Sequence, residues 1–271
     1  FSRFVKLLSN LGANIIFEVQ KPLINLLSEQ DTNVRIISKD EKIHFDYFIP
    51  LLSLPKLLKI NELNIPFNNK YIQANKNKIK EFKEKNSSKK KKIGIAFSGN
   101  NTHKNTHNRD IKFKEMSKIL SGDYEFYCIQ KDVNKTDLIE MNKFPNLIWD
   151  INYLSENFSN TAALISCMDM IITVDTSLVH LSGAMGIKTL LLLPYNNDWR
   201  WMKDISHSPW YRSIHILRQQ KLGCWDNVIL SVCNHLNIKT NVNGIGEKII
   251  KPVTNISKST TIKYQNINEL H

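Results

Sequence analysis

Asp175, Thr176 and Ser177 follow directly on an apolar run, residues 170–174, and precede a stretch with helical spacing, residues 178–185, that carries small residues on one side. All three are residue types that cap helix N-termini. A strand that ends on such a trio and turns at once into a helix leaves the N–H groups of Thr176, Ser177 and Leu178 facing outward. Those groups and the helix dipole favour an anion, so the expected ligand is a phosphate or diphosphate. His180 lies one turn further on, on a side that reaches the same ligand.

Three more polar clusters follow predicted strands. The first is Ser98-Gly-Asn-Asn-Thr-His-Lys-Asn-Thr-His-Asn-Arg109. Ser98, Gly99 and Asn100 suit a close backbone approach to a ligand, and Lys104 and Arg109 suit phosphate. A polar loop in an asparagine-rich chain is the competing reading. His103 and His107 are four apart but in a loop, which does not build a metal site. The second cluster is Gln130-Lys131, with Gln130 suited to a base or ribose edge and Lys131 to a phosphate. The third is Asn196-Asn-Asp-Trp-Arg-Trp201 with Ser208-Pro-Trp-Tyr211, which holds three of the chain's five tryptophans. Aromatic rings beside Asp198 and Arg200 suit stacking on a sugar or base. Equally, Trp199 and Trp201 would serve to anchor a long loop on a sheet.

The elements that must position these residues alternate. Residues 1–11 have the pattern of an amphipathic helix, 14–19 of a strand, 22–27 of a helix and 34–38 of a strand. A short strand is expected at 46–50, leading into a turn and helix at 51–55. The first strand and first loop of this α/β alternation are expected to precede the given sequence. Residues 75–91 are polar and charged and separate two apolar-rich halves, as an exposed helix and linker would. The second half then reads as strand 92–97, helix 113–120, strand 125–130, helix 135–140, strand 146–150 and helix 158–167. It continues as strand 170–174, helix 177–185, strand 189–193, strand 213–217 and helix 225–236. This is the pattern of a doubly wound parallel sheet, in which ligands bind at the carboxyl edge. The expected division is a partial first domain at 1–74, the linker 75–91, a second domain at 92–236 and a polar tail at 237–271.

The chain has 271 residues, 42% of them hydrophobic, with 37 basic against 25 acidic side chains and a net charge of +12. That length supports two medium cores. No apolar run is long enough to span a bilayer and no signal peptide is visible, so no integral membrane association is expected. Cys128, Cys167, Cys224 and Cys233 form no C-x-x-C pair and fall in regular elements, as in a cytoplasmic protein with reduced thiols. The Lys89-Lys-Lys-Lys92 run precedes a strand and reads as a solvated linker, so nucleic acid is not the expected partner. Phosphorylated small molecules are a better use of the positive charge. There is no G-x-G-x-x-G after a strand, no P-loop and no G-x-S-x-G.

Asp175-Thr-Ser-Leu-Val-His-Leu-Ser-Gly-Ala-Met-Gly186 resembles the donor-binding motif of heptosyltransferase-like GT-B glycosyltransferases. The fuller set is similar to a subgroup in which this module follows tetratricopeptide repeats. It comprises Phe17-Glu-Val-Gln-Lys-Pro22, Phe45-Asp-Tyr-Phe-Ile-Pro-Leu-Leu-Ser-Leu-Pro55, Phe97-Ser-Gly-Asn100, Asn160-Thr-Ala-Ala-Leu164, Leu193-Pro-Tyr195, Asp198-Trp-Arg-Trp201 and Ser208-Pro-Trp-Tyr211. The resemblance implies a GT-B-like fold of two Rossmann-like doubly wound domains facing a cleft, the first incomplete here. It implies an inverting, metal-independent transfer from a nucleotide-diphosphate sugar to a protein or glycan acceptor, with no other cofactor. By it, Asp175, Thr176, Ser177, Leu178 and His180 meet the donor's diphosphate and sugar. Ser98, Gly99, Asn100, Lys104, Arg109, Gln130, Lys131, Tyr195, Asp198, Trp199 and Arg200 complete the donor site. The general base is expected in the loop after the first strand, upstream of Phe1, and tetratricopeptide repeats upstream of that. A non-catalytic nucleotide-sugar-binding or scaffold module is the alternative.

Overall fold

The computed structural model describes residues 1–30, 33–99 and 106–238, except the side chain of His107. The expected tail at 237–271, apart from its first two residues, and the candidate residues Asn100 and Lys104 lie outside the described residues.

Helix α1 (Arg3–Asn10) leads into a two-stranded parallel sheet of β1 (Ile15–Val19) and β2 (Val34–Ser38), with Ile15 opposite Val34 and Val19 opposite Ser38. Helix α2 (Ile24–Ser28), entered by a 3-10 turn at Lys21–Leu23, makes the crossover. A short helix α3 (Leu54–Leu57) follows another 3-10 turn, Leu51–Ser53. The strand expected at 46–50 is absent: those residues have no ladder partner and form no regular element. Pro50 removes a donor there, and Phe45, Tyr47 and Phe48 stand exposed, so the apolar signal has no sheet to bury it.

Residues 75–91 contain α4 (Lys76–Lys85), whose first turn is capped by Asn75 Oδ1 accepting from the N–H groups of Asn77 and Lys78. Beyond it lies a six-stranded, wholly parallel sheet. Its strands are β3 (Lys91–Ala96), β4 (Tyr124–Cys128), β5 (Leu147–Ile148), β6 (Met170–Val174), β7 (Thr189–Leu193) and β8 (Ile214–Arg218), in spatial order β5-β4-β3-β6-β7-β8. The helices between are α5 (Thr106–Arg109), α6 (Phe113–Met116), α7 (Lys135–Met141), α8 (Ile151–Glu156), α9 (Phe158–Ser166) and α10 (Ser177–Ala184), with α11 (Asp226–His235) last. Both sheets belong to one compact unit.

Strands β6 and β7 are buried at every residue, which is why they read as unbroken apolar runs. Alternate side chains sort into two cores. Ile171, Leu191, Leu193 and Ile216 face α9 and α10, whereas Ile93, Ile95, Ile172, Val174 and Leu192 face α6 and α11. Helices on both faces make the sheet doubly wound, as the alternation implied. Two expected elements are trimmed. The helix at 113–120 becomes one α turn and a 3-10 turn at Ser117–Ile119, and the strand at 146–150 shrinks to two residues. Asp150 instead caps α8, its Oδ1 accepting from Tyr153 N at 3.0 Å.

The small and large sheets are stitched together. Gln30 donates to Gln73 O and accepts from Gln73 N, Ser159 Oγ donates to both Glu29 carboxylate oxygens, and the N–H groups of Tyr71 and Ile72 share Ala184 O. No helix among the described residues is long and apolar enough to cross a membrane.

Candidate functional site

In the strand order, β3 and β6 are neighbours while their sequence partners β4 and β7 lie on opposite sides of them. The chain therefore leaves the carboxyl ends of β3 and β6 in opposite directions, and the resulting crevice is where such sheets bind ligands. A cavity of about 400 Å³ opens there, lined by Arg109, Asp175, Thr176, Ser177, His180, Pro194, Asn196, Asn197, Asp198 and Arg200. Three chain segments reach it: the loop after β3, the β6–α10 turn and the loop after β7. Asp169, at the other end of β6, accepts Lys92 N at 2.8 Å and so is remote from the crevice.

The β6–α10 turn is built by its cap. Thr176 is extended at φ −134°, ψ 177°, and its Oγ1 accepts Leu178 N at 3.2 Å. Leu178 N–H is thus already used, its side chain is buried in the core, and it does not line the cavity. The N–H groups of Thr176 and Ser177 have no partner among the described residues, and both residues line the cavity. Gly186, at φ +71°, ends the helix in a conformation that suits glycine.

Arg109 reaches the cavity from α5 through an arrangement that depends on Gly99. Its Nε donates to Asp110 Oδ1 at 2.9 Å, and the same oxygen accepts Gly99 N at 3.3 Å. A Cβ on residue 99 would collide with Arg109 Nη2 and lie 2.8 Å from its Cζ. Arg109 is buried and lines the cavity, so its charge acts on whatever the cavity holds; its Nη2 packs against Gly99 and has no hydrogen-bond partner among the described residues. Burial raises the Asp110 carboxyl above its ordinary value, against the opposing pull of Arg109.

Gln130 has a different role from the one its position suggested. Its Oε1 accepts the N–H groups of Phe97 and Ser98 at 2.7 and 3.1 Å, and its Nε2 donates to Ser98 Oγ and Asp132 O at 2.7 and 2.9 Å. Every hydrogen-bonding position of this buried amide is filled. Gln130 pins the end of β3 to β4, Ser98 is the partner it holds, and neither residue lines the cavity. Lys131, Tyr195 and Trp199 are exposed and do not line the cavity.

The loop after β7 folds back as a 3-10 turn, Trp199–Trp201. Asp198 Oδ1 caps it, accepting Arg200 N at 3.0 Å and Arg200 Nη1 at 2.9 Å, which fixes Arg200 at the cavity. The two tryptophans part company: Trp201 is fully buried and anchors the loop on the sheet, whereas Trp199 is 60% exposed and edge-on to Trp210, outside the cavity lining. After Trp201 the backbone passes through Met202 at φ 55°, ψ −168°, a conformation costing about 1–3 kcal/mol for a residue with a side chain. Asn197 Nδ2 donates to Met202 O at 3.1 Å, and Arg218 donates to Trp201 O and Asn197 Oδ1. These bonds hold the strained turn and use up Asn197, one of three cavity residues, with Pro194 and Asn196, that were not among the expected contacts.

The charges divide the cavity. Burial raises the Asp175 carboxyl, Trp201 and the two arginines pull it down, and Asp198 pushes it up again. Trp201 Nε1 faces this carboxylate without making a full hydrogen bond. His180 is lowered to about 4, by burial first and nearby positive charge second, so it is a neutral imidazole at physiological pH. Its ring stacks on Trp201 at 5.3 Å and its Nδ1 lies 3.1 Å from Tyr211 Oη. No group of three or more His, Cys, Asp or Glu residues among the described ones has the spacing of a metal site.

Cationic groups and free N–H groups thus meet at a helix N-terminus, with carboxylates and amides alongside. The sequence profile of glycosyltransferase family 9 (heptosyltransferase) matches residues 56–228. No curated protein sequence matches the chain. Among solved structures, E. coli ADP-heptose LPS heptosyltransferase II is 13% identical with a TM-score of 0.46, over 61% of this chain and 52% of that one. The dodecameric iron-containing heptosyltransferase TibC, in complex with ADP-D-beta-D-heptose, is 13% identical with a TM-score of 0.51, over 83% of this chain and 61% of that one. E. coli heptosyltransferase WaaC with ADP-2-deoxy-2-fluoro heptose is 8% identical with a TM-score of 0.41, over 87% and 77%. At such identities the likeness to TibC speaks for the fold, which is that of the GT-B heptosyltransferases. The chain spans 52% and 61% of the first two neighbours' lengths. With more than half of its residues matched by the family profile, the chain belongs to glycosyltransferase family 9, the heptosyltransferases.

Proposed function

We propose that the cavity holds the diphosphate of a nucleotide-diphosphate sugar and that the protein transfers this sugar to a protein or glycan acceptor. The observation that carries the reading is the meeting of the free N–H groups of Thr176 and Ser177 with Arg109 and Arg200 at the β3–β6 crevice. As the bond from the sugar's anomeric carbon to the diphosphate breaks, negative charge grows on the leaving oxygen. Fixed N–H donors and guanidinium groups stabilise that charge without a metal. Attack by the acceptor hydroxyl oxygen from the opposite face gives inversion, its proton passing to a general base outside the residues that line this cavity.

Neutral His180 contributes a hydrogen bond and no charge. Asp175 repels phosphate, so its place is on a donor hydroxyl, with Asp198 and Asn196 as further sugar contacts. The solved complexes of TibC and WaaC carry ADP-linked sugars, which makes ADP-sugars the first donors to test here. The four described cysteines are unpaired thiols, in keeping with a cytoplasmic protein, where upstream tetratricopeptide repeats would present the acceptor.

A second reading has its own support. Of the two carboxylates in the cavity, Asp198 is tied to Arg200 and Asp175 faces Trp201, so neither is a free general base. A nucleotide-sugar-binding module without turnover fits that arrangement. Incubating the full-length protein with nucleotide sugars and acceptor, and measuring nucleoside diphosphate release, separates the two. Release that is lost in Asp175→Ala supports transfer; saturable donor binding with no release supports the binding module.

A further inference from the structure

Arg3 is 1% exposed and has no carboxylate within ion-pair distance among the described residues. A buried cation of this kind is normally paired. Arg3 is held instead by backbone oxygens and aromatic rings. Its Nη1 donates to Trp210 O at 2.7 Å and Pro66 O at 3.2 Å, while its guanidinium lies 4.7 Å from the Tyr71 ring centre and 4.8 Å from that of Tyr211. On its other side Tyr211 lies against α10 at Gly183, where a Cβ would sit 2.5 Å from Tyr211 Cγ. The ring is therefore gripped between Arg3 and the helix backbone, with its hydroxyl 3.1 Å from His180 Nδ1.

We propose that Tyr211 is a positioning residue for the donor site: its hydroxyl, set by Arg3, donates to His180 Nδ1 and fixes His180 as the Nε2–H tautomer, which presents one neutral N–H donor to the ligand. The Tyr211 hydroxyl meets Arg3, Tyr71 and His180 Nδ1. Arg3 has no acceptor and can only donate to it, and a neutral imidazole nitrogen is a stronger acceptor than the Tyr71 phenol oxygen, so the phenol proton goes to the imidazole. Burial raises the Tyr211 phenol, so the proton is present throughout the physiological range. An imidazole whose Nδ1 accepts must carry its own proton on Nε2. A neutral donor can bond a sugar or phosphate oxygen in either charge state of the nucleotide. The role in ligand binding rests on the donor-site reading above; the tautomer itself does not.

Long-range ¹⁵N spectra of the histidine side chains at neutral pH, on the protein without ligand, separate protonated from unprotonated ring nitrogens. The wild type is expected to show His180 with Nε2 protonated and Nδ1 bare. Tyr211→Phe keeps the ring and removes only the hydroxyl, so His180 should become a mixture of both tautomers while the fold melts normally. Arg3→Met should shift the population in the same direction, and Arg3→Lys should restore part of it. An Nδ1–H tautomer in the wild type, or one unchanged in Tyr211→Phe, overturns the proposal. The expected tautomer together with no nucleotide-sugar binding would leave the positioning intact and reject the donor-site reading.

Discussion

Replacing Gly183 by alanine sets two effects of opposite sign against each other. Gly183 lies inside α10, where helix propensity alone makes alanine better by about 1 kcal/mol. The added Cβ would sit 2.5 and 2.7 Å from Tyr211 Cγ and Cδ1 and 2.8 Å from Ile214 Cδ1. Carbon atoms prefer separations of about 3.5–4.0 Å, so the overlap is near 1 Å. Tyr211 is 5% exposed and backed by Arg3, so its ring has nowhere to retreat. Overpacking of this kind costs about 1–3 kcal/mol; the Ile214 methyl can rotate aside, but the held Tyr211 ring cannot, which places the cost at the upper end. The net expectation is a loss of about 2 kcal/mol, read in urea as a lower midpoint at unchanged slope. In a thermal melt that is a fall of roughly 4–8 °C. Displacing Tyr211 should also weaken nucleotide-sugar binding. A variant stabilised by about 1 kcal/mol, as propensity alone demands, would refute the grip of Tyr211 against α10.

Other expectations follow from the same geometry. Arg109→Met should weaken nucleoside diphosphate binding roughly 10- to 100-fold, since a hydrogen bond to a charged group is worth about 1.5–3 kcal/mol, as isothermal calorimetry can measure. Asp137 is buried and its Oδ1 accepts Phe113 N at 2.8 Å, so Asp137→Ala should cost about 1–3 kcal/mol in urea melts by orphaning that N–H, with donor affinity little changed. Asp175 has a folded-state pKa raised above the ordinary 3.8, so between those values the native state binds more protons than the unfolded chain, and this group makes stability fall as pH rises. Asp175→Asn should therefore be more stable than wild type above that window, lose the advantage below pH 3.8, and bind donor less well, as melts across pH and a titration would show. Cys128 is buried with its thiol pushed up to about 12, so it should resist alkylation at pH 8 until the protein unfolds, as mass spectrometry of the labelled peptides would reveal.

The sheet was legible because its central strands are covered on both faces. Residues 170–174 and 189–193 contain nothing but apolar and β-compatible side chains, and the structure starts and stops those strands at the same residues. The β6–α10 turn was legible for a related reason: cap residues must be local. What sequence hides is the use of a polar side chain across long separations. Gln130 bonds residues 32 and 33 positions away, and nothing next to it in the chain signals that its amide is full. Nor does the sequence show which N–H groups a cap consumes: Thr176, itself expected at the ligand, accepts the N–H of Leu178. Residues 46–50 have the composition of a strand without a neighbour, and pairing cannot be read from one segment. Tyr211 stood in a quoted motif with no role; the pairing of Gly183 with a bulky aromatic from a later loop was its only signal, visible once the fold joined them.

The central claim is that the free N–H groups at the start of α10 bind a diphosphate. Ser177 is the first residue of that helix, where proline is well tolerated, and Thr176 before it is already extended, as proline requires. Ser177→Pro therefore removes one N–H donor and leaves the fold standing. Calorimetric titration of wild type and Ser177→Pro with ADP, UDP and GDP and their sugars tests the claim directly. The expected result is saturable binding of at least one nucleotide by the wild type, weakened roughly 10-fold or more in the variant at an unchanged melting temperature. No binding by a folded wild type, or equal affinity in both proteins, would contradict it.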